Sequence, residues 1–351
     1  MAKRKIFLHV GPHKTGTTSI QRGLLANRQQ LENLGYHYPE VGFVFDGHHN
    51  IVFELAGMDK FAPILGGLNE LKEFAQNSTG DIILSSETFD NIMTVEPFLK
   101  LREAMTDDFD IHVIGYLRPQ EELLQSLWKT EVRFDGVLED FDQWLPQALE
   151  KWQFLCYDDW LKILVEALGP DNVHFTIYDP KSDDLLFSFL KLCGLSDFSG
   201  FELPQRENVS LPSLTFEIVR RFYINPYIYR RRDGDGKIPV QKSSYANVAR
   251  IVKKIAEEEK LDLTYSCYSR KMLNLVRQKF RPHNQNIAKS FFGRNRLFLG
   301  ERKLKPAPGK LIDQLTNQQA LRIGGAVIEM EQQRTRKEIA RKAKNRTHGK
   351  A

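Results

Sequence analysis

Apolar and polar positions follow two different periods along this chain. Short apolar runs at 6–10, 81–85, 111–117 and 173–178 have the length and continuity of buried parallel strands. Between and after them, apolar residues recur with helical spacing at 17–34, 96–105, 119–132, 141–168 and 183–193. Strands that alternate with helices predict βαβ units. We therefore expect an α/β fold of three layers with a central parallel sheet.

The pattern changes after about residue 201, where the strand signal fades. Helical spacing continues at 214–222, 245–260, 267–280 and 315–331. We expect residues 1–333 to form a single domain whose C-terminal half, from about 201, is helical. Residues 334–351 are expected to form a basic, disordered tail.

The net charge of +5 is distributed unevenly along the chain. Residues 334–351 hold eight Lys or Arg and one Glu, a local charge of +7, which leaves about −2 for the rest. The basic character therefore belongs to the tail, where contact with anionic surfaces is one interpretation and solvated disorder is another.

Other features of composition narrow the class of protein. The three cysteines are widely spaced, which argues against a disulfide framework and a zinc cluster. No apolar run reaches the length of about 20 residues that a membrane span needs, and the apolar run after Lys5 is too short for a signal peptide. A soluble, cytoplasmic protein without a metal is the resulting expectation.

A glycine, lysine and threonine loop follows the first predicted strand and precedes the first predicted helix. It reads Gly-Pro-His-Lys-Thr-Gly-Thr-Thr from residue 11 to residue 18. Backbone N–H groups, the helix dipole and a lysine charge converge in such a loop, which makes it an anion cradle. In the loop that binds nucleoside triphosphates, Lys follows the second Gly directly. Here Thr17 holds that position, and the lysine lies inside the loop as Lys14.

This loop resembles the 5′-phosphosulfate loop of sulfotransferases that use 3′-phosphoadenylyl sulfate (PAPS). The resemblance covers roughly residues 4–295 and is nearest to bacterial members that act on carbohydrates. It implies a P-loop-like fold and PAPS as the donor co-substrate. The residues that it assigns to the donor in the loop are Lys14, Thr15, Gly16, Thr17 and Thr18.

A second motif begins where the third predicted strand ends. Arg118 stands at that end, before Pro119, and Ser126 follows two turns into the next predicted helix. Open α/β sheets bind ligands at this edge, and Arg and Ser both suit a phosphate. The spacing resembles the 3′-phosphate motif of the same family. The alternative is that Arg118 only pairs with a neighbouring Glu.

Three residues are candidates for the base that takes a proton from the acceptor hydroxyl. Glu87 follows the second predicted strand, and a partly buried carboxylate with a raised pKa can serve as a base. His48 and His49 lie in a loop rich in Gly, Asp and His. Glu87 can equally have a structural role, and so can both histidines. His13, inside the loop, is a further candidate for contact with the donor.

The sequence therefore predicts a PAPS-dependent sulfotransferase. It would transfer a sulfuryl group in line to an acceptor hydroxyl, on a saccharide or glycolipid, with Lys14 as a catalytic residue. A P-loop kinase with a relocated lysine is the alternative among enzymes. A nucleic-acid-binding protein that acts through the basic tail is the alternative outside them.

Overall fold

The computed structural model describes residues 3–105, 108–135, 137–180, 184–203, 211–224, 242–299 and 304–348. The β-strands are β1 Arg4–His9, β2 Tyr36–His37, β3 Asp81–Ser85, β4 Phe109–Leu117, β5 Val173–Ile177, β6 Tyr265–Ser269 and β7 Lys305–Ala307. The α-helices are α1 Thr17–Ala26, α2 Arg28–Asn33, α3 His49–Leu55, α4 Leu68–Asn77, α5 Glu96–Met105, α6 Gln120–Phe134, α7 Phe141–Lys151, α8 Tyr157–Leu168, α9 Leu185–Leu192, α10 Ser213–Ile224, α11 Lys242–Glu258, α12 Arg270–Ser290 and α13 Asn317–His348.

The chain divides into two compact units. The first comprises Met1–Leu123, Leu149–Asn208 and Gln278–Gly300, and the second comprises Leu124–Ala148, Val209–Arg277 and Glu301–Ala351. The assignment of residues 1–333 to one domain stays a prediction. None of the described helices is long and apolar enough to cross a membrane.

The first unit contains a five-stranded parallel sheet in the order β2-β3-β1-β4-β5. This confirms the predicted α/β class and all four predicted strands. The central strand β1 lies between β3 and β4, with Leu8 opposite both Leu84 and Val113. Its apolar run is buried on both faces, as expected for a strand that has a layer of helices on each side.

Helices α1 and α9 cover one face of this sheet. Phe7 of β1 belongs to a buried cluster with Ile20 and Leu24 of α1 and with Leu186 and Phe189 of α9. The predicted helix 17–34 ends early and a second one begins, because Asn27 leaves the helical conformation. The Asn27 side chain instead donates to the carbonyl of Glu202 at 2.8 Å and accepts from its N–H at 2.6 Å.

The second unit is mainly helical, as predicted for the C-terminal part. The prediction of one helix over 267–280 is wrong at its start, because Tyr265–Ser269 forms strand β6, which pairs with β7 in parallel. Helix α13 extends to His348 and so covers most of the segment for which a disordered tail is expected. Residues 349–351 lie outside the described residues.

Candidate functional site

The loop between β1 and α1 has a left-handed backbone at three positions. Gly11 has a φ of 88°, Lys14 of 67° and Gly16 of 82°. This conformation costs roughly 1–2 kcal/mol for a residue with a Cβ, so Lys14 needs support from its surroundings. The Thr15 side chain closes the loop by donating to the carbonyl of Pro12 at 2.6 Å. The loop therefore has a defined conformation, with Lys14 at its bend.

Helix α1 begins directly after this loop, at Thr17. Within the described chain no side chain caps its N-terminus, and its first turn holds no acidic residue. The first N–H groups of a helix have no acceptor inside the helix and form the positive end of its dipole. Thr17 is buried and Thr18 half-buried at this end. The loop and the helix start together present the donors that an anion requires.

Arg118 holds the loop from the end of the neighbouring strand β4. Its Nη1 donates to the carbonyl of Lys14 at 2.9 Å, and its Nε donates to the Glu122 carboxylate at 3.3 Å. The hydroxyl of Tyr157 donates to the Arg118 carbonyl at 2.7 Å. The pairing with Glu122 is the alternative that the sequence left open. The bond to Lys14 adds a role that the sequence did not indicate, because it fixes the backbone of the loop.

Ser126 lies farther along helix α6, in the part that belongs to the second unit. It is half-buried, and its carbonyl accepts from the hydroxyl of Thr130 at 3.0 Å. Its predicted role beside Arg118 stays a prediction.

Glu87 reaches the loop from the end of strand β3. The strand ends at Ser85, and a short 3₁₀ helix follows over Glu87–Asn91, capped by the Ser86 hydroxyl. Gly11 packs so closely here that a Cβ on it would lie 3.0 Å from the Cα and Cβ of Glu87. The Glu87 carboxylate accepts from Gln21 at 2.8 Å. The ends of β1 and β3 therefore bring Glu87 to the base of the loop.

The ionisation of Glu87 differs from the expectation. Burial raises its pKa, but the opposing influence of His49 and His13, together with hydrogen bonds, is stronger and leaves the pKa below its ordinary value. The raised pKa that the sequence interpretation required is therefore not found. An ionised carboxylate near neutral pH is nevertheless the form that accepts a proton.

The two neighbouring histidines have different surroundings. His48 is fully buried, its Nε2 donates to the Pro39 carbonyl at 3.0 Å, and its Nδ1 accepts from the Ser85 N–H at 3.0 Å. Burial lowers the pKa of His48 to about 3. With both ring nitrogens engaged by the backbone, His48 holds the segment before α3 against β3.

His49 lies at the start of α3 and faces Glu87. Its Nδ1 lies 2.7 Å from the Ser86 hydroxyl, and its Nε2 lies 3.9 Å from the nearer Glu87 oxygen. Burial lowers the pKa of His49, although Glu87 opposes the shift. A neutral imidazole and a carboxylate therefore stand side by side at the carboxyl edge of the sheet.

His13 is paired with a buried carboxylate, Asp90. The backbone N–H and the Nδ1 of His13 lie 2.8 and 2.7 Å from the same Asp90 oxygen. Burial lowers the pKa of His13, but Asp90 and Glu87 together outweigh it and raise the pKa above its ordinary value. Asp90 is 1% exposed, and its second oxygen has no hydrogen-bond partner among the described residues. The loop therefore holds a second basic group beside Lys14.

Sequence reasoning assigned no role to Gln21 or Asp90. Their positions in the sequence could have indicated that both lie near the site, because Gln21 stands one helical turn after Thr17 and Asp90 stands three residues after Glu87. Their side chains connect the loop to the end of β3 through Glu87 and His13. The structure thus brings Lys14, Arg118, Glu87, His49 and His13 to one edge of the sheet.

Comparison with known proteins gives limited similarity. No protein-family model and no curated protein sequence matches the chain. Two chains of solved structures match it, and one is a sulfotransferase from Alicyclobacillus acidocaldarius. That structure is 17% identical, has a TM-score of 0.38, and aligns over 62% of this chain and 90% of its own. At this identity and TM-score the likeness carries no assignment of function.

Proposed function

We propose that the protein is a sulfotransferase that uses PAPS as its donor and a hydroxyl group as its acceptor. The observation that carries the proposal is the position of Lys14. It stands at the bend of the loop with a positive φ, and Arg118 holds its carbonyl. A lysine at this point of the loop suits the first phosphate group and its sulfuryl substituent, whereas nucleoside triphosphate loops place the lysine on the helix.

The residues present fit an anionic donor of this kind. The N-terminus of α1 offers N–H groups with no carboxylate in its described first turn, and Lys14 and His13 add basic side chains. Lys14 and the backbone of Thr15, Gly16, Thr17 and Thr18 would hold the 5′-phosphosulfate. Arg118 would contact the 3′-phosphate, for which its planar fork of donors is suited. The proposed contact of Ser126 with the same phosphate rests on the sequence motif alone.

Glu87 is our choice for the base, with His49 beside it. The acceptor oxygen would form a bond to sulfur while the bond from sulfur to the phosphate oxygen breaks. The hydroxyl proton would pass to the ionised Glu87 carboxylate, and the electron pair of the broken bond would stay on the phosphate oxygen. Lys14 would stabilise the charge that builds on that oxygen. Because both ring nitrogens of His48 are hydrogen-bonded to the backbone of Pro39 and Ser85, we assign it a positioning role.

For the acceptor, the proposal specifies only a chemical class. A saccharide or glycolipid hydroxyl is the acceptor that the resemblance implies. A cytoplasmic location and contact of the basic tail with anionic surfaces rest on the composition of the sequence and are part of the proposal. A screen of hydroxyl acceptors with isotopically labelled PAPS, read by mass spectrometry, identifies the class of acceptor.

A ligand-binding experiment tests the donor. We expect adenosine 3′,5′-bisphosphate to raise the melting temperature of the protein, and ATP with Mg²⁺ to raise it much less. Stabilisation by ATP with Mg²⁺ alone would contradict the proposal and favour a kinase. A Lys14→Ala variant should lose transfer of labelled sulfate, while a Lys60→Ala variant in the exposed chain after α3 should keep it.

A further inference from the structure

Three side chains with metal-binding chemistry lie together in the first unit, outside the loop site. Cys156, Asp159 and His283 each place one ligand atom within 4.8 Å of the other two. Cys156 directly precedes helix α8, and Asp159 follows in the first turn of that helix. Residues three apart in a helix lie on one face. His283 comes from α12, so the cluster joins two helices that are far apart in sequence.

A neighbouring carboxylate orients the histidine. The Nδ1 of His283 contacts the carboxylate of Asp158, and the Asn286 amide donates to the other Asp158 oxygen at 3.2 Å. Asp158 is buried, and these two bonds engage both of its carboxylate oxygens. A carboxylate on one ring nitrogen fixes the tautomer and leaves Nε2 with its lone pair. This arrangement accompanies most histidines that bind metals.

Charged side chains lie beside the cluster. The Lys162 ammonium lies 3.3 Å from an Asp159 oxygen and 3.8 Å from an Asp158 oxygen. A metal ion that binds must therefore compete with Lys162 for Asp159, and it displaces the thiol proton of Cys156.

The cluster has access from outside. Cys156 and Asp159 line a cavity of about 280 Å³ together with Trp152, Lys279 and Phe280. Asp159 is exposed, and Cys156 and His283 are half-buried. A metal with three protein ligands keeps a position for water, and the cavity offers the room for it.

We propose that Cys156, Asp159 and His283 form a binding site for Zn²⁺ or a transition-metal ion of similar softness, with Asp158 as the residue that positions His283. Thiolate and imidazole ligands favour Zn²⁺ and its neighbours, whereas Mg²⁺ and Ca²⁺ require oxygen ligands. The spacing of the cysteines does not indicate this site, because only one of its ligands is a cysteine. The site is separate from the proposed sulfuryl transfer and does not depend on it.

Metal uptake by the full chain tests this proposal. The protein is treated with a chelator, desalted, and titrated with ZnCl₂ by calorimetry, with the bound metal measured by elemental analysis. We expect one Zn²⁺ per chain. Titration with Co²⁺ should produce a thiolate-to-cobalt charge-transfer band in the near ultraviolet, which only a sulfur ligand gives.

Matched variants separate the site from adventitious binding. Cys156→Ser should abolish the charge-transfer band, and Asp159→Asn and Asp158→Asn should each weaken Zn²⁺ binding by about 10- to 100-fold. Cys267→Ser and His37→Gln, which change a thiol and an imidazole outside the cluster, should bind as the unchanged protein does. Because Asp159 is exposed, its variant tests the site even if a change at Cys156 prevents folding. Absence of uptake by the unchanged protein would overturn the proposal, and so would uptake by Cys156→Ser and Asp159→Asn as tight as that of the unchanged protein.

Discussion

His13 and Asp90 form a pair in which one carboxylate oxygen of Asp90 accepts hydrogen bonds from the ring Nδ1 and the backbone N–H of His13, at 2.7 and 2.8 Å. The carboxylate is buried, and its partner lies inside the loop next to Lys14. The pair therefore ties the conformation of the loop to the protonation of His13. Asp90 acts through His13 and is a positioning residue.

The first prediction concerns the pH dependence of this pair. The pKa of His13 is raised in the folded protein, so the stability from its proton is fully present below about pH 6.5 and is lost as the pH rises through the raised pKa. Asp90→Asn should lower the pKa of His13 and remove this dependence. NMR titration of labelled histidine and unfolding by urea at several pH values measure the two effects.

The same variant should weaken the binding of adenosine 3′,5′-bisphosphate. At about pH 7.5 a smaller fraction of His13 carries a proton in the variant, so His13 attracts the anion less and we expect weaker binding. The loss should shrink when binding is measured at a lower pH, because more of His13 is then protonated in both proteins. Asp59→Asn, at an exposed position, is the control for the change in net charge. An equal loss at both pH values would contradict the role of the His13 proton.

The second prediction separates Glu87 from His49. Glu87→Gln should reduce turnover by about 10²-fold or more, while the affinity for adenosine 3′,5′-bisphosphate changes little. The pKa of Glu87 is lowered, so activity and stability that need its charge are present above about pH 4.5 and are lost as the pH falls through the lowered pKa. Turnover measured against pH for Glu87→Gln and His49→Gln checks both points. If His49→Gln is inactive and Glu87→Gln keeps full activity, the base is His49.

The third prediction concerns Arg118 and the backbone of the loop. Arg118→Lys keeps the charge but loses the planar fork that reaches the Lys14 carbonyl, so affinity for adenosine 3′,5′-bisphosphate should fall by about tenfold or more. The control is Arg102→Lys, because Arg102 donates in the same way to the Ala167 carbonyl at 2.7 Å, outside the loop. Calorimetric titration of both variants measures the difference. Equal affinity in the two variants would show that Arg118 has no part in the donor site.

Four of the five strands of the sheet could be predicted from the sequence because they are mainly apolar runs, whereas the two-residue edge strand β2 was not predicted. Strand β1 is buried on both faces, and nothing in its residues competes with the extended conformation. The break at Asn27 could not be predicted, because its partner Glu202 is far away in sequence. Strand β6 was missed for a similar reason, since its partner β7 follows only after the whole of α12.

The part of the candidate site that lies at the ends of the strands could be predicted from the sequence. Lys14, Glu87 and Arg118 each follow a predicted strand, and parallel strands bring such residues to one edge. The pKa of Glu87 could not be predicted, because it depends on His49 and His13, whose distances from Glu87 are set by tertiary packing. The hydrogen bonds of His48 to the backbone could not be predicted from the sequence either, because they depend on tertiary packing.

The last prediction concerns Gly16, which directly precedes helix α1. A Cβ on Gly16 would lie 2.3 Å from Leu185 Cδ2 and 3.2 Å from the Tyr178 ring, and φ is 82°. Gly16→Ala should therefore lower the free energy of unfolding by more than the roughly 1–2 kcal/mol that the backbone conformation alone costs. Gly35 has a φ of 80° and no atom within 4 Å of such a Cβ.

Gly35→Ala consequently measures the backbone cost without the overlap, and urea unfolding of the two variants gives the difference. We expect Gly16→Ala to be the less stable by about 1 kcal/mol or more, because the Leu185 side chain must move within a packed cluster. It should also bind adenosine 3′,5′-bisphosphate more weakly, whereas Gly35→Ala should bind it unchanged. Equal stability of the two variants would show that the contact between α1 and α9 accommodates a methyl group, and that the loop needs glycine only for its φ.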